Sequence, residues 1–270
     1  MTTQTQTDNL TAVILCGGHG TRMGSLTEQI PKSLLEVQGH PILWYIISRL
    51  HMSGIRRFVL PTGYLGNQIS DYVDSVFGGS DFEILCVDTG TDTPIGLRLH
   101  RIRGYLPEEG SIFLTNGDAL FDFDIAAMAK FHADADAAIT FATIETISQY
   151  GLIVMNDSRI AGFERDSAVT GYQIRSESGV GTGLVYAGIC MLDRRSLDLI
   201  DLATTPNFEA ELFPKLISEE RTQQFRIPKF WCSIDTQKDL ERVNTGAGTN
   251  PRVALPASQL REILENASVP

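Results

Sequence analysis

A chain of 270 residues, 43% of them hydrophobic, can bury a large core and can still form a single α/β domain. Its formal net charge of −11 argues against a general nucleic-acid binder, which needs a basic surface, yet allows an anionic small molecule held by a few focused cations. No run of about 18 apolar residues occurs, so no membrane-spanning helix is expected.

In chain order, Met1 to Asn9 is polar and Thr/Gln-rich, without the basic and apolar regions of a signal peptide; residues 1–10 read as a flexible tail. Ala12 to Cys16 is an apolar run ending at glycines, as a buried parallel strand does. Pro41 to Met52 reads as a helix, with proline in its first turn and Gly54 past its end. Phe58 to Pro61 is the next strand. Leu65 to Phe77 is an amphipathic helix closed by Gly78 and Gly79. Phe82 to Val87 and Ile112 to Thr115 are further strands, and Ile125 to His132 is a helix capped by Asp124. This alternation predicts an α/β fold, a mostly parallel sheet with helices on both faces.

After residue 137 the pattern changes. Ala137 to Ile144, Leu152 to Met155 and Leu184 to Leu192 read as strands without long helices between them, which predicts a mixed sheet extending the parallel one. Asp166 to Gly183 is polar and Gly/Ser-rich and reads as a mobile loop. Helices are expected at Arg195 to Leu202 and Phe208 to Glu219. Residues 11–244 thus form one domain, and 245–270 a linker followed by a short helix at Ala257 to Asn266. Cys16, Cys86, Cys190 and Cys232 lie in apolar runs with no C-x-x-C spacing, and read as buried, reduced thiols of a cytoplasmic protein rather than a zinc site.

Three motifs carry chemistry. Leu15-Cys16-Gly17-Gly18-His19-Gly20-Thr21-Arg22 follows the first strand. Glycines there let the backbone approach a ligand and aim N–H groups at phosphate oxygens, and Arg22 adds a bidentate cation. A dinucleotide loop needs a third glycine where Met23 stands, and the Phe58 strand runs into Thr62-Gly63 without the acidic residue such a fold uses. No Walker lysine follows either. The second motif is Phe113-Leu114-Thr115-Asn116-Gly117-Asp118. A carboxylate after a glycine at a buried strand's end is well placed to hold a metal beside a ligand. The third is Phe230-Trp231-Cys232-Ser233-Ile234-Asp235-Thr236, with Asp239-Leu240 after it; for Asp235 taken alone, the lesser alternative is a helix N-cap.

From Gly17 through Thr27 and Pro31-Lys32 to Gly39 and Pro41-Ile42-Leu43, the chain resembles the sugar-1-phosphate nucleotidyltransferases, and the resemblance extends over residues 11 to 244. It implies a Rossmann-like domain of glycosyltransferase-A type. The Gly17–Thr21 loop, with Gly18 and Gly20, would wrap a nucleoside triphosphate, Leu15 would lie against the nucleotide, and Arg22 and Lys32 would bind phosphates. Gly117 would lie against the nucleotide. Asp118 and Asp235 would converge to hold Mg²⁺. Asp88-Thr89-Gly90, Gly96-Leu97-Arg98-Leu99 and Asp122-Phe123-Asp124-Ile125 resemble the glucose-1-phosphate cytidylyltransferase subgroup, which implies CTP, with Asp88, Thr89 and Gly90 where the base is read.

On the acceptor side, Tyr150-Gly151 matches a family Tyr-Gly that lies against the sugar. The family's Glu-Lys-Pro is here Glu164-Arg165-Asp166, in which arginine can still bind phosphate, and its Asn-x-Gly contact is Tyr186-Ala187-Gly188. These departures keep open a phosphocholine or phosphonate acceptor, for which Trp231, Tyr186 and Glu164 could line an aromatic and acidic pocket. UTP, dTTP or GTP remain open as donors. A non-catalytic nucleotide-binding regulator is the contrasting class, but it should have lost an aspartate or Lys32. Members of this family are often oligomeric, so a homo-oligomer is an option, though no interface is legible in the residues.

Overall fold

The computed structural model describes residues 7, 9–147, 152–156, 158–164, 168–169, 171–176, 179–228 and 230–245. Seven strands form the central sheet: β1 (Thr11–Leu15), β2 (Arg57–Thr62), β3 (Glu83–Asp88), β4 (Ser111–Asn116), β5 (Ile139–Ile144), β6 (Val185–Asp193) and β7 (Thr222–Arg226). Their spatial order is β7-β5-β6-β4-β1-β2-β3. β3, β2, β1 and β4 run parallel, β6 is antiparallel to both β4 and β5, and β7 is parallel to β5. The expected mixed, mostly parallel sheet flanked by helices is the one observed.

Both faces of the sheet are covered. In β1, Ala12 and Ile14 enter one core cluster and Val13 the other, because successive side chains of a strand point to opposite faces. Helices α1 (Ile42–Met52), α2 (Gly66–Phe77) and α4 (Ile125–Asp134) pack on the first face through residues such as Leu43, Ile69, Val73 and Met128. Helices α3 (Ile95–Ile102) and α5 (Phe208–Ser218) cover the other with Leu99, Ile102, Phe208 and Leu212. Asp124 caps α4 as expected, its carboxylate accepting from the Ala127 N–H at 2.9 Å. Cys16, Cys190 and Cys232 are buried and Cys86 is half-buried; all four are free thiols, and burial pushes Cys190 and Cys232 up to about 12.

The structure departs from the sequence reading at several elements. Leu152–Asn156 does not extend the sheet; it pairs with Arg159–Glu164 as a separate hairpin. The segment read as a mobile loop contains a second hairpin, Tyr172–Ser176 with Gly179–Gly183. Its Tyr172, Ile174 and Val180 favour a pleated ribbon despite the surrounding glycines and serines. The helix expected over 195–202 is a short 3-10 turn, Arg194–Asp198, started by the Asp193 carboxylate accepting from the Arg195 N–H. Helix α3 went unread because Thr93-Pro94 and Gly96 resemble a loop; Pro94 sits at its N-cap position. The strands Ala119–Asp122, Thr222–Arg226 and Phe230–Ser233, and helix α6 (Gln237–Thr245), were also unread. The helix expected at 257–266 lies outside the described residues. Among the described residues no helix is long and apolar enough to cross a membrane.

Candidate active site

After β1 the chain turns through residues 16–20 into a 3-10 turn, Thr21–Thr27. A Cβ on Gly17 would lie 2.2 Å from Arg98 Nη1 and 3.0 Å from the Pro61 carbonyl, so no side chain fits there. Gly20 takes φ 65°, and a Cβ on it would meet Lys32 Cβ at 3.0 Å. Gly18 is exposed, with nothing near the position of an added Cβ, so this part of the loop faces open space. His19 Nε2 lies 2.8 Å from Asp92 Oδ1, and its ring centroid lies 4.4 Å from that of Tyr64.

Arg98 holds this edge of the sheet together. It is only 4% exposed. Its guanidinium donates to the carbonyls of Gly17 (2.7 Å), Thr62 (2.9 Å) and Thr91 (2.9 Å) and to the Thr89 hydroxyl (2.6 Å). These acceptors sit at or beyond the carboxyl ends of β1, β2 and β3. All are neutral, and burial lowers the arginine pKa from its ordinary value, although the group stays charged. A fixed positive charge therefore lies under the glycine loop, where it favours an anion. The Thr89 hydroxyl also donates to Thr62, so that side chain is spent inward. Asp88 is exposed, and its carboxylate accepts from the Gly90 N–H at 2.8 Å. Sequence reasoning assigned no role to Arg98. Gly96, Arg98, Leu99 and Ile102 form the buried face of α3, and a cation inside a helix's apolar stripe was the available signal.

Asp118 and Asp235 meet because two unread strands pair. Ala119–Asp122 lies antiparallel to Phe230–Ser233, with Ala119 opposite Ser233, and the Ile234 N–H donates to the Asp118 carbonyl at 2.9 Å. The Lys32 ammonium lies between the two carboxylates, 2.6 Å from Asp118 Oδ2 and 3.1 Å from Asp235 Oδ1. Arg22 Nη1 lies 3.0 Å from the same Asp235 oxygen. The Ser233 hydroxyl, also unread, donates to the other Asp235 oxygen. Burial pushes the Asp235 carboxyl up, but the Ser233 hydrogen bond and the Lys32 and Arg22 charges outweigh it and hold the carboxyl below its ordinary value. The helix-cap role falls elsewhere. Thr236 and Asp239 cap α6 reciprocally, the Thr236 N–H donating to the Asp239 carboxylate at 2.9 Å and the Asp239 N–H to the Thr236 hydroxyl at 3.3 Å.

This pair fits a divalent cation. The two carboxylates already converge on one positive centre, and hard oxygen donors suit Mg²⁺. Among the described residues no cluster of three or more His, Cys, Asp or Glu forms a metal site, so the remaining ligands of such an ion would be phosphate oxygens and water.

The acceptor-side residues are more scattered. Gly188 has φ 70° and packs against the Asn116 side chain, beside the end of β4. Tyr186 turns its ring between Phe141 and Phe213, each 5.7 Å away, and its hydroxyl is hydrogen-bonded to Cys190. Burial pushes its pKa well up. The Trp231 indole N–H donates to the Ala187 carbonyl at 2.9 Å. Glu164 ends a hairpin strand, opposite Leu152. Tyr150, Gly151 and Arg165 lie outside the described residues.

The profile of the family described as "Nucleotidyl transferase" matches residues 11–249. A relative from Bacillus subtilis (strain 168), named "Probable glucose-1-phosphate cytidylyltransferase", is 30% identical over 252 residues, covering 86% of this chain and 94% of the relative. The glucose-1-phosphate cytidylyltransferase of Salmonella typhimurium is 28% identical, covering 84% and 92%. The crystal structure of HddC from Yersinia pseudotuberculosis superposes with a TM-score of 0.62 at 19% identity, covering 86% of this chain and 97% of that one, a likeness of fold. With a glycine loop on the carboxyl edge of a mostly parallel sheet, two convergent aspartates beside it and a family match across the whole sheet, the chain belongs to the nucleotidyl transferase family.

Proposed function

We propose that the protein transfers CMP from CTP to a sugar 1-phosphate and releases pyrophosphate, with Mg²⁺ as cofactor. The observation that carries this reading is the Lys32 ammonium between Asp118 and Asp235, with Arg22 on Asp235, at the mouth of the Gly17–Gly20 loop. An acceptor phosphate oxygen attacks the α-phosphorus of the triphosphate, the new P–O bond forms as the bond to the leaving pyrophosphate breaks, and the displacement runs in line. A phosphate monoester has a second pKa of about 6, so the nucleophile is largely dianionic at neutral pH and needs no general base. The difficulty is bringing two anions together, and the protein meets it with position and positive charge. Backbone N–H groups of the glycine loop face the triphosphate. Arg22 and Lys32 neutralise phosphate oxygens, and Arg98 holds the loop in shape from beneath. When bound by Asp118 and Asp235, Mg²⁺ supplies Lewis-acid charge neutralisation.

The preference for CTP and a sugar phosphate rests on the named relatives and on the Asp88–Gly90 turn at the end of β3. The Tyr186 ring is packed among phenylalanines and the Trp231 N–H is bound to a carbonyl, which weighs against an aromatic cage for a quaternary amine. The test is pyrophosphate release with Mg²⁺ across CTP, UTP, dTTP and GTP, paired with glucose 1-phosphate, other sugar 1-phosphates, phosphocholine and simple phosphonates. Release only with CTP and a sugar 1-phosphate is expected. Release only with a non-sugar acceptor, or with another base, replaces that part of the assignment. Nucleotide binding without turnover for any pair favours a regulatory protein.

A further inference from the structure

We propose that Lys32 holds the seat a divalent cation takes between Asp118 and Asp235, so that the metal enters with the nucleotide and not before it; this rests on the nucleotidyl-transfer reading of the same site. The ammonium touches both carboxylates, at 2.6 and 3.1 Å, and is itself only 13% exposed. Arg22 sits on the Asp235 oxygen that faces Lys32. Two cations and two carboxylates leave the cluster with no net charge. A metal ion arriving alone meets no uncompensated negative site, and to bind both aspartates it must expel an ammonium that then remains beside it as a like charge.

A triphosphate changes both conditions. It carries several negative charges of its own and offers oxygen ligands, which two carboxylates cannot supply in the number that Mg²⁺ prefers. It also gives Lys32 and Arg22 new partners. Lys32 is placed for that exchange: its Cβ would lie 3.0 Å from a Cβ on Gly20, so its stem runs along the phosphate loop, and its ammonium can pass from the aspartates to the loop mouth through side-chain rotation. The lysine therefore couples the two ligands. Nucleotide raises metal affinity by drawing the cations off the carboxylates, and by linkage the metal raises nucleotide affinity by the same factor. The device also keeps the two aspartates from collecting divalent ions when there is no phosphate to transfer.

Mn²⁺ titrated into the nucleotide-free protein, with free ion followed by electron paramagnetic resonance, tests this without any turnover. Lys32→Met is expected to bind Mn²⁺ at least about tenfold more tightly than wild type, a difference of about 1.4 kcal/mol. Lys32→Arg, which keeps a cation, is expected to stay close to wild type. Adding a non-hydrolysable analogue of the triphosphate selected in the turnover matrix should tighten Mn²⁺ binding by wild type about tenfold or more, and by Lys32→Met much less. Equal Mn²⁺ affinities for wild type and Lys32→Met, or weaker binding by the variant, overturn the proposal. Should Lys32→Met fail to fold by circular dichroism, Arg22→Gln at an exposed position takes its place. A smaller but measurable tightening then supports the proposal, and no change overturns it. Absence of turnover with every pair alongside a clear Mn²⁺ difference would sink the transfer reading and leave the lysine's role intact; turnover with equal affinities would do the reverse.

Discussion

Strand β1 and the hairpin strand Tyr172–Ser176 each have five residues, and they live in different surroundings. β1 has a parallel neighbour on each side, and both of its faces are buried. Among the described residues Tyr172–Ser176 pairs only with Gly179–Gly183, and Tyr172 and Ile174 are 43% and 49% exposed. The other hairpin is similar, with Ile153 and Ile160 open to solvent. The glycine loop and Asp118 hang from the first kind of strand, and Glu164 ends the second kind. The transfer proposed above, which must fix charges to within fractions of an ångström, would thus be built on the doubly buried edge of the sheet. Among the described residues neither hairpin pairs with the central sheet, and an isolated two-stranded ribbon is marginal in water, which lets this part of the chain change with little loss of stability.

That contrast can be broken at the rigid edge first. Asp118→Ala is expected to cut pyrophosphate release by about 10³-fold or more, equivalent to about 4 kcal/mol, while circular dichroism stays native. Phe113→Ala, in the middle of β4 and fully buried, should cost about 3–5 kcal/mol in chemical denaturation, and an equal loss from a hairpin residue would erase the distinction. Arg98→Leu removes four hydrogen bonds at once; the Thr62 carbonyl keeps the Thr89 N–H and hydroxyl and the Gly17 carbonyl keeps the Tyr64 N–H, while the Thr91 carbonyl loses its guanidinium donor, and a buried acceptor left unpaired costs about 1–3 kcal/mol. It should lower the melting temperature and raise the KM for nucleotide more than it lowers kcat, because the arginine shapes the loop without touching the reacting atoms. A kcat effect alone would contradict that role.

Smaller effects sharpen the picture. The folded-state pKa of Asp235 lies below the ordinary 3.8, so its ionised form favours the fold at every pH above that value, and the contribution drains away as pH falls through the lower, folded value. Asp235→Asn should therefore flatten the acid limb of the stability profile below pH 3.8 and leave the neutral-to-alkaline limb unchanged; an unaltered acid limb would show that the Ser233, Lys32 and Arg22 contacts do not act together on this carboxyl. Val180→Thr, 65% exposed on the second hairpin, should shift stability by no more than about 0.5 kcal/mol in the same denaturation experiment.

The elements that were legible carry their signal within one short window. β1, β2 and β4 are continuous apolar runs because both of their faces are covered, and α2 shows its apolar stripe at Ile69, Val73 and Phe77. Helix α3 and the strand Phe230–Ser233 were not legible as elements. Gly96 of α3 is there because a Cβ would strike the Thr205 carbonyl, a tertiary constraint that a local reading takes for a loop.

The candidate site divides along the same line. The glycine loop with Arg22 and Lys32, and the Asp118 that ends a separate strand motif, are each written in a short stretch of residues, since strand ends, tight turns and cations beside them have local signatures. That alone identified the nucleotidyltransferase pattern. The tertiary structure decided that Lys32 reaches carboxylates 86 and 203 residues away, that Arg98 grips three loops, and that Tyr186 faces the core. Each depends on a register between distant strands, Ala119–Asp122 against Phe230–Ser233 above all. A shift of one residue there would turn every side chain to the opposite face, and only the packing of the whole molecule selects the register that brings the two aspartates together.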